Sequence, residues 1–252
     1  MTKVANAKEK YDFAFYQYGS ERRYESPRAI VPLVCNLLHP TSVVDVGCGT
    51  GVWLEVFQEH GVERILGLDG AHVDPAWLKI PRSSFRAVNL SEKFELAERF
   101  DLAVCLEVAE HLPINAAEGL VCLLVKAAPC ILFSAAMPRQ GGREHINEQW
   151  PEYWHTRFEG HGFQKLDLIR KEIWTERSIE YWYRQNMYLY VRKELVQQRE
   201  QFVRALGYAD DLILIHRDIL EAHFSLRPLL RRLPRAVREF TKRRFTRLRG
   251  SL

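Results

Sequence analysis

The chain is poor in the features that would direct it to a membrane, a secretory route or a cysteine-built scaffold. No run in its 252 residues approaches the roughly 20 apolar positions of a bilayer span. The first ten residues, Met1 to Lys10, are polar and hold no apolar signal core, so the chain is expected to stay in the cytoplasm. Only five cysteines occur, Cys35, Cys48, Cys105, Cys122 and Cys130, and no Cys-x-x-Cys pair is among them. They stand within or beside apolar runs, which speaks for reduced, mostly buried thiols and against a disulfide framework or a structural zinc knuckle. Internal repeats and low-complexity tracts are absent.

An excess of positive charge is missing from most of the chain. The net charge is +4, yet ten of the 36 Lys and Arg residues and only one acid, Glu239, fall between Arg227 and Leu252. The remainder holds 26 basic against 31 acidic residues and is net acidic. Basicity is therefore a property of the tail and not of the main domain.

What is present begins with Val43-Val44-Asp45-Val46-Gly47-Cys48-Gly49-Thr50-Gly51. Val43 to Val46 predict a buried parallel strand. Glycines at alternate positions allow a tight turn that brings backbone N–H groups close to a ligand. A helix from Thr50 to His60, stopped by Gly61, points its N-terminus at the same place, which suits a carboxylate or phosphate. The spacing is not the Gly-x-Gly-x-x-Gly of dinucleotide binders, because the third glycine comes one residue early.

Further apolar runs follow: Arg64 to Asp69, Phe85 to Leu90, Phe100 to Leu106 and Cys130 to Ala136. Ser91 to Arg99 reads as a short amphipathic piece, Ala116 to Ala128 and Trp150 to His161 as helices. Phe163 to Glu172 and Asn186 to Val191 read as a last, antiparallel strand pair. The alternation predicts an α/β fold, a doubly wound and mostly parallel sheet with helices on both faces. An acid at the end of the second strand, Asp69, stands about 20 residues past the glycine turn, where it can accept two ribose hydroxyls. The domain is expected over residues 41–195, with an N-terminal helical segment, 1–40, covering the ligand site. A helical extension, 196–252, contains the basic tail, with helices expected over Lys193 to Leu206 and Asp211 to Phe224.

These residues, together with Cys105-Leu106-Glu107-Val108-Ala109-Glu110-His111-Leu112 after the fourth strand, resemble the class I S-adenosylmethionine-dependent methyltransferases over residues 26 to 195. The resemblance implies the Rossmann-like fold of that family and S-adenosyl-L-methionine as cofactor. It places the cofactor against Asp45, Gly47, Cys48, Gly49, Gly51, Asp69, Gly70, Asn89, Leu90, Leu106 and Glu107. Tyr18, in the aromatic run Tyr11 to Gly19, would lie over the methionine end, unless that run is a small helix packed on the domain. Asn89 departs from the family's usual aspartate, although an amide oxygen still accepts from the adenine amino group.

Glu107, Glu110 and His111 stand at i, i+3 and i+4, so one helical turn would put all three on one face. His145, in the loop after the next strand, is expected at the same mouth. Glu-x-x-Glu-His with a later His is similar to the ubiquinone-pathway O-methyltransferases and to the enzymes that methylate the terminal ribose of small RNAs. The similarity implies a divalent ion (magnesium, manganese, iron or zinc) on Glu107, Glu110, His111 and His145. Many metal-free relatives carry the same signature as a structural cap, so both readings stay open. Without a metal, His145 or His111 is the candidate general base, with Glu107 beside them.

Trp174, Tyr181, Trp182 and Tyr183, in the insert Ile173 to Arg184, could wall a substrate pocket or merely pack a surface segment. The expected activity is methyl transfer to a hydroxyl of a small molecule or glycan. The alternatives are ribose 2'-O-methylation of RNA and a cofactor-binding partner subunit without activity. The tail, arginines with apolar residues at helical spacing broken by Pro228 and Pro234, suits an anionic membrane surface or RNA, so a location peripheral to the membrane is also open.

Overall fold

Unbroken buried runs build this fold from the sheet outward. A computed structural model of the chain describes residues 22–206. Those residues fall in the first of two units, Met1–Ile213 and Leu214–Leu252. Expectations for Tyr18, the aromatic run before it, the helix Asp211 to Phe224 and the basic tail lie outside the described residues.

Seven strands form one sheet: β1 (Ser42–Val46), β2 (Arg64–Asp69), β3 (Phe85–Ala87), β4 (Leu102–Leu106), β5 (Cys130–Ser134), β6 (Phe163–Leu166) and β7 (Tyr188–Arg192). Their order is β3-β2-β1-β4-β5-β7-β6. The first five pair in parallel, and β7 runs antiparallel to both β5 and β6. Strand order reverses between β1 and β4, and at such a switch point a crevice opens outside the carboxyl ends of the strands.

Successive residues of each strand enter opposite cores. Val43, Leu102, Val104, Leu132 and Leu189 join one apolar cluster; Val44, Val46, Ala103, Ile131 and Tyr190 join the other. Helices cover both faces. On the first lie α1 (Arg22–Leu38) and α2 (Val52–Glu59); on the second lie α3 (Ala117–Ala127) and α4 (Pro151–Gly160). Helix α1 buries Ile30, Val34 and Leu38 at i, i+4 and i+8, with Val31 beside them, so this helix packs as part of the core. All five cysteines are free thiols. Among the described residues no helix is long and apolar enough to cross a membrane.

Asp101 fixes the register of the two central strands. Its Oδ2 accepts from the Thr41 amide at 2.9 Å, the Thr41 hydroxyl at 2.8 Å, and the Ser42 amide and hydroxyl at 2.9 Å each. Burial works against the charge, but these four donors prevail and hold the carboxyl below its usual range.

The elements depart from expectation in three places, and the short piece Ser91 to Arg99 is irregular, with every second residue from Phe94 to Phe100 at least partly covered. That period of two belongs to extended chain, and Phe94 and Leu96 pack on the second core cluster. The run from Phe85 ends as a strand at Ala87, because this edge strand has its last two residues exposed. The run Phe163 to Glu172 stops as a strand at Leu166 and becomes the short helix α5 (Ile169–Ile173). There Asp167 pairs with Arg170 at helical i, i+3 spacing. Helix α6 (Tyr181–Asn186) precedes β7. The single helix expected over Lys193 to Leu206 is two, α7 (Lys193–Gln198) and α8 (Glu200–Leu206), parted at Arg199, whose backbone is extended.

Candidate functional site

The carboxyl ends of β1, β2, β4 and β5 converge on one mouth. At β1 the chain leaves through Gly47, with φ of 86°, a left-handed conformation that disfavours any side chain. A Cβ at Gly47 would lie 2.2 Å from Cγ2 of Val108, so the turn is pressed against the segment that follows β4. Gly49, also left-handed, turns its amide to Asp69 Oδ2 at 2.7 Å. The Gly70 amide donates to Oδ1 of the same carboxylate at 2.6 Å. Asp69 therefore ties the β1 turn to the end of β2. Burial raises its pKa, and the two amides and the nearby His72 oppose that rise. His72 Nε2 lies 3.5 Å from Oδ1, so the two amides and this ring leave only part of the carboxylate's roughly four acceptor sites for a ligand's hydroxyls. Asp45, fully buried in β1, is pushed well above the usual carboxylate range by burial and then by the charge of Asp69. The Cys48 thiol is raised by burial and packs beneath Gly67.

Asn89 sits past the end of β3 and is exposed. Its amide donates to Glu92 at 2.7 Å, and its oxygen accepts from the Ser91 amide at 3.1 Å. Leu90 is half-buried on the second core cluster, and Leu106 is buried at the end of β4.

The expected single helical turn after β4 does not form. Glu107 takes a left-handed backbone, with φ of 54°, and its amide is held by the carbonyl and hydroxyl of Ser134 on β5. Only Ala109–His111 coils, as a 3-10 turn. The four expected ligands consequently divide. Glu107 Oε2 accepts from Gln140 Nε2 at 2.9 Å, and Oε1 accepts from Asn186 Nδ2 at 3.2 Å. The same Asn186 nitrogen donates to Gln140 Oε1 at 2.7 Å. Glu110, His111 and His145 come together instead, each offering one ligand atom within 4.8 Å of the others. The rings of His111 and His145 meet edge-on at 4.9 Å.

Glu110 is completely buried. Burial first, and then the charge of Glu107, keep its carboxyl well above the usual range. Its Oε1 accepts from the Ala136 amide at 3.2 Å, while Oε2 has no hydrogen-bond donor, as a protonated acid beside a carboxylate would be arranged. Its carbonyl accepts from the Ile146 and Asn147 amides, which draws the loop after β5 over the turn. Burial, then His145, hold His111 below the ordinary imidazole range and so keep it neutral.

Glu148 shapes that loop. It accepts from the Arg139 amide at 2.7 Å, the Gly141 amide at 2.9 Å and His145 Nδ1 at 3.0 Å. With Nδ1 donating to a carboxylate, Nε2 becomes the acceptor nitrogen of the His145 ring. From the aromatic insert, Tyr183 meets Trp53 edge-on at 5.3 Å. Burial and then the Glu107 charge push its hydroxyl pKa up.

Sequence reasoning missed Gln140, Glu148 and Asn186. The spacing His145-x-x-Glu148 was a usable signal for one of them. Gln140 and Asn186 are 46 residues apart, and only the fold joins them.

Comparison with known proteins agrees with this geometry. A family profile described as "Methyltransferase domain" matches residues 18–171. The ubiquinone biosynthesis O-methyltransferase of Rhodopseudomonas palustris (strain BisA53) is 29% identical over 104 residues, which are 39% of this chain and 39% of that protein. The chain thus spans about two fifths of the length of the curated relative it matches. Among solved structures, a sugar N-methyltransferase from a Streptoalloteichus species superposes with a TM-score of 0.57 at 14% identity, over 77% of this chain and 97% of that one. An amino pentose methyltransferase from Micromonospora echinaspora, solved with S-adenosylmethionine bound, gives a TM-score of 0.50 at 18% identity, over 72% and 98%. At these identities the two structures speak for the fold alone.

Proposed function

Because the chain belongs to the class I S-adenosylmethionine-dependent methyltransferases, we propose that it transfers the cofactor's methyl group to a hydroxyl of a small molecule or glycan. The cofactor supplies the electrophilic methyl carbon. The chain's part is to bind, orient and remove a proton from the acceptor. Asp69 would hold the ribose with the acceptor sites left beside Gly49 and Gly70, and the β1 turn would present its amides to the methionine carboxylate.

The observation that carries the hydroxyl reading is the His145–Glu148 pair. An alcohol gives up its proton only as the new bond forms, so it needs an aligned base, worth about 10²–10⁴-fold. Glu148 fixes the His145 tautomer that leaves Nε2 able to take that proton. The O-methyltransferase activity of the curated relative supports the same choice, whereas the sugar N-methyltransferase of the same fold marks amines as the competing acceptor class. Glu107, braced by Gln140 and Asn186, would orient the acceptor by accepting from a neighbouring hydroxyl.

A metal-assisted form of this reading has one observation in its favour: the orphaned Oε2 of Glu110 inside a cluster of three donors. The cluster fits a divalent cation, with Glu110, His111 and His145 as its holders and not Glu107. Such an ion would lower the pKa of a bound hydroxyl.

Paired panels of hydroxylated and amino substrates, with the site of methylation located by mass spectrometry, test the proposal. Methyl groups on oxygen, with a loss of about 100-fold in His145→Ala, support it. Methylation of nitrogen alone, or full activity in His145→Ala, overturns it. Excess chelator separates the two forms, since the metal-assisted one alone loses turnover. The arginine-rich tail is proposed to meet an anionic membrane surface. Tight, salt-sensitive binding of RNA in its place, lost on removing residues 227–252, would favour the RNA ribose alternative.

A further inference from the structure

A second group of metal-ligating side chains lies on the helical layer, outside the residues assigned to methyl transfer. Glu118 and Cys122 stand at i and i+4 on α3, so they share one face of that helix. His161, the residue that ends α4, reaches the same spot. Its Nε2 is 2.8 Å from Glu118 Oε1 and 3.7 Å from Cys122 Sγ, and the sulfur is 3.7 Å from Glu118 Oε1.

Those separations are informative. A tetrahedral ion with bonds of about 2.3 Å to sulfur and about 2.0–2.1 Å to nitrogen and oxygen keeps its ligands roughly 3.3–3.6 Å apart. The two contacts of the sulfur are already near that length. Only the His161–Glu118 pair must open, by about 0.5 Å on the same geometry. Glu118 can move to allow it, because its side chain is 60% exposed. Its other oxygen lies 3.9 Å from Arg157 Nε, a cation placed to orient the carboxylate from outside. One thiolate and one carboxylate would neutralise a doubly charged ion, and a mixed sulfur, nitrogen and oxygen set suits a borderline metal and not a hard one.

We propose that Glu118, Cys122 and His161 form a binding site for a borderline divalent cation, zinc foremost, that fastens the end of α4 to α3 and leaves one position open to solvent. Helix α4 begins directly after the loop that carries His145 and Glu148, so the ion would brace the element on which that loop ends. This site shares no ligand with the Glu110, His111 and His145 cluster.

Cobalt and zinc titrations of the full, metal-stripped chain test the site. The expected result is a thiolate-to-cobalt charge-transfer band in the near ultraviolet, which a cluster without cysteine cannot give. The band persists in His145→Ala. It disappears in Cys122→Ser, which also loses one equivalent of calorimetrically bound zinc. His161→Ala and Glu118→Gln keep the thiol and weaken binding by more than about tenfold, since each removes one of three ligands. Zinc raises the melting temperature of the wild-type chain, and this rise shrinks in His161→Ala. If the wild-type chain gives no thiolate band, or if band and zinc equivalent survive in Cys122→Ser, the inference is overturned. Should Cys122→Ser fail to fold by circular dichroism, the other two variants decide: unchanged affinity in both overturns it.

Discussion

The Gly49 amide donates to Asp69 Oδ2 at 2.7 Å across 20 residues of chain, so the turn that ends one strand is held by the acid that ends the next. One carboxylate both shapes the cradle and is the group proposed to hold the ribose. Removing it in Asp69→Ala leaves the Gly49 and Gly70 amides without their acceptor, at a cost of about 1–3 kcal/mol for an unmet buried group. The expected fall in melting temperature is roughly 2–12 °C, at about 2–4 °C per kcal/mol for a domain of this size. Calorimetric melting of the unliganded protein checks it.

Gly47→Ala is expected to be more damaging than its size suggests. The new methyl group must adopt a left-handed backbone and meet Val108 at 2.2 Å. Strain of about 1–3 kcal/mol adds to overpacking of about 1–3 kcal/mol. Combining it with Val108→Ala should recover the overpacking part but not the backbone part. A double-mutant cycle of denaturant midpoints measures the split.

Glu110→Gln tests the protonation state of the buried acid. In chelator the variant should match the wild type below about pH 4.3 and be the more stable of the two at neutral pH. Its amide oxygen can still accept from Ala136, as the acid does. A raised folded pKa means that the native state keeps a proton the unfolded chain has lost. Stability from this group is therefore full below about pH 4.3, the ordinary glutamate value. It is lost as pH climbs towards the folded value. That decline should vanish in Glu110→Gln. His111 has the opposite sign: its folded pKa is depressed, so its contribution is present above about pH 6.5 and is lost as pH falls. Denaturant titrations across pH 4 to 8, roughly the range over which these groups titrate, follow both.

Asn186→Ala and Gln140→Ala each release one side of Glu107. Turnover should fall by about tenfold or more, the effect of a misplaced orienting group, and melting temperature by roughly 2–12 °C because each change leaves a bond of the buried network unmet, while cofactor affinity changes little. Saturation kinetics in the acceptor, compared with cofactor binding by calorimetry, separate the two effects.

The strands that bound the cofactor cradle were legible because buried parallel strands are written as unbroken apolar runs: Arg64–Asp69 begins and ends where the sequence predicts. The antiparallel last pair was legible too, though β6 closes early at Leu166. The turn after β4 was not. Glu107, Glu110 and His111 have helical spacing, but spacing says nothing of the hydrogen bonds to Ser134 that swing Glu107 into a left-handed backbone. The Gln140–Glu107–Asn186 network joins three distant segments and has no local signature.

The most direct test is calorimetric titration of the purified chain with S-adenosylmethionine and its demethylated product. The account predicts one binding site per chain for both ligands. Affinity should fall by about 10- to 100-fold in Asp69→Ala, or about 1.4–2.8 kcal/mol, under conditions where that variant remains folded. Absence of uptake by the wild-type chain, or equal affinity in Asp69→Ala, would contradict it.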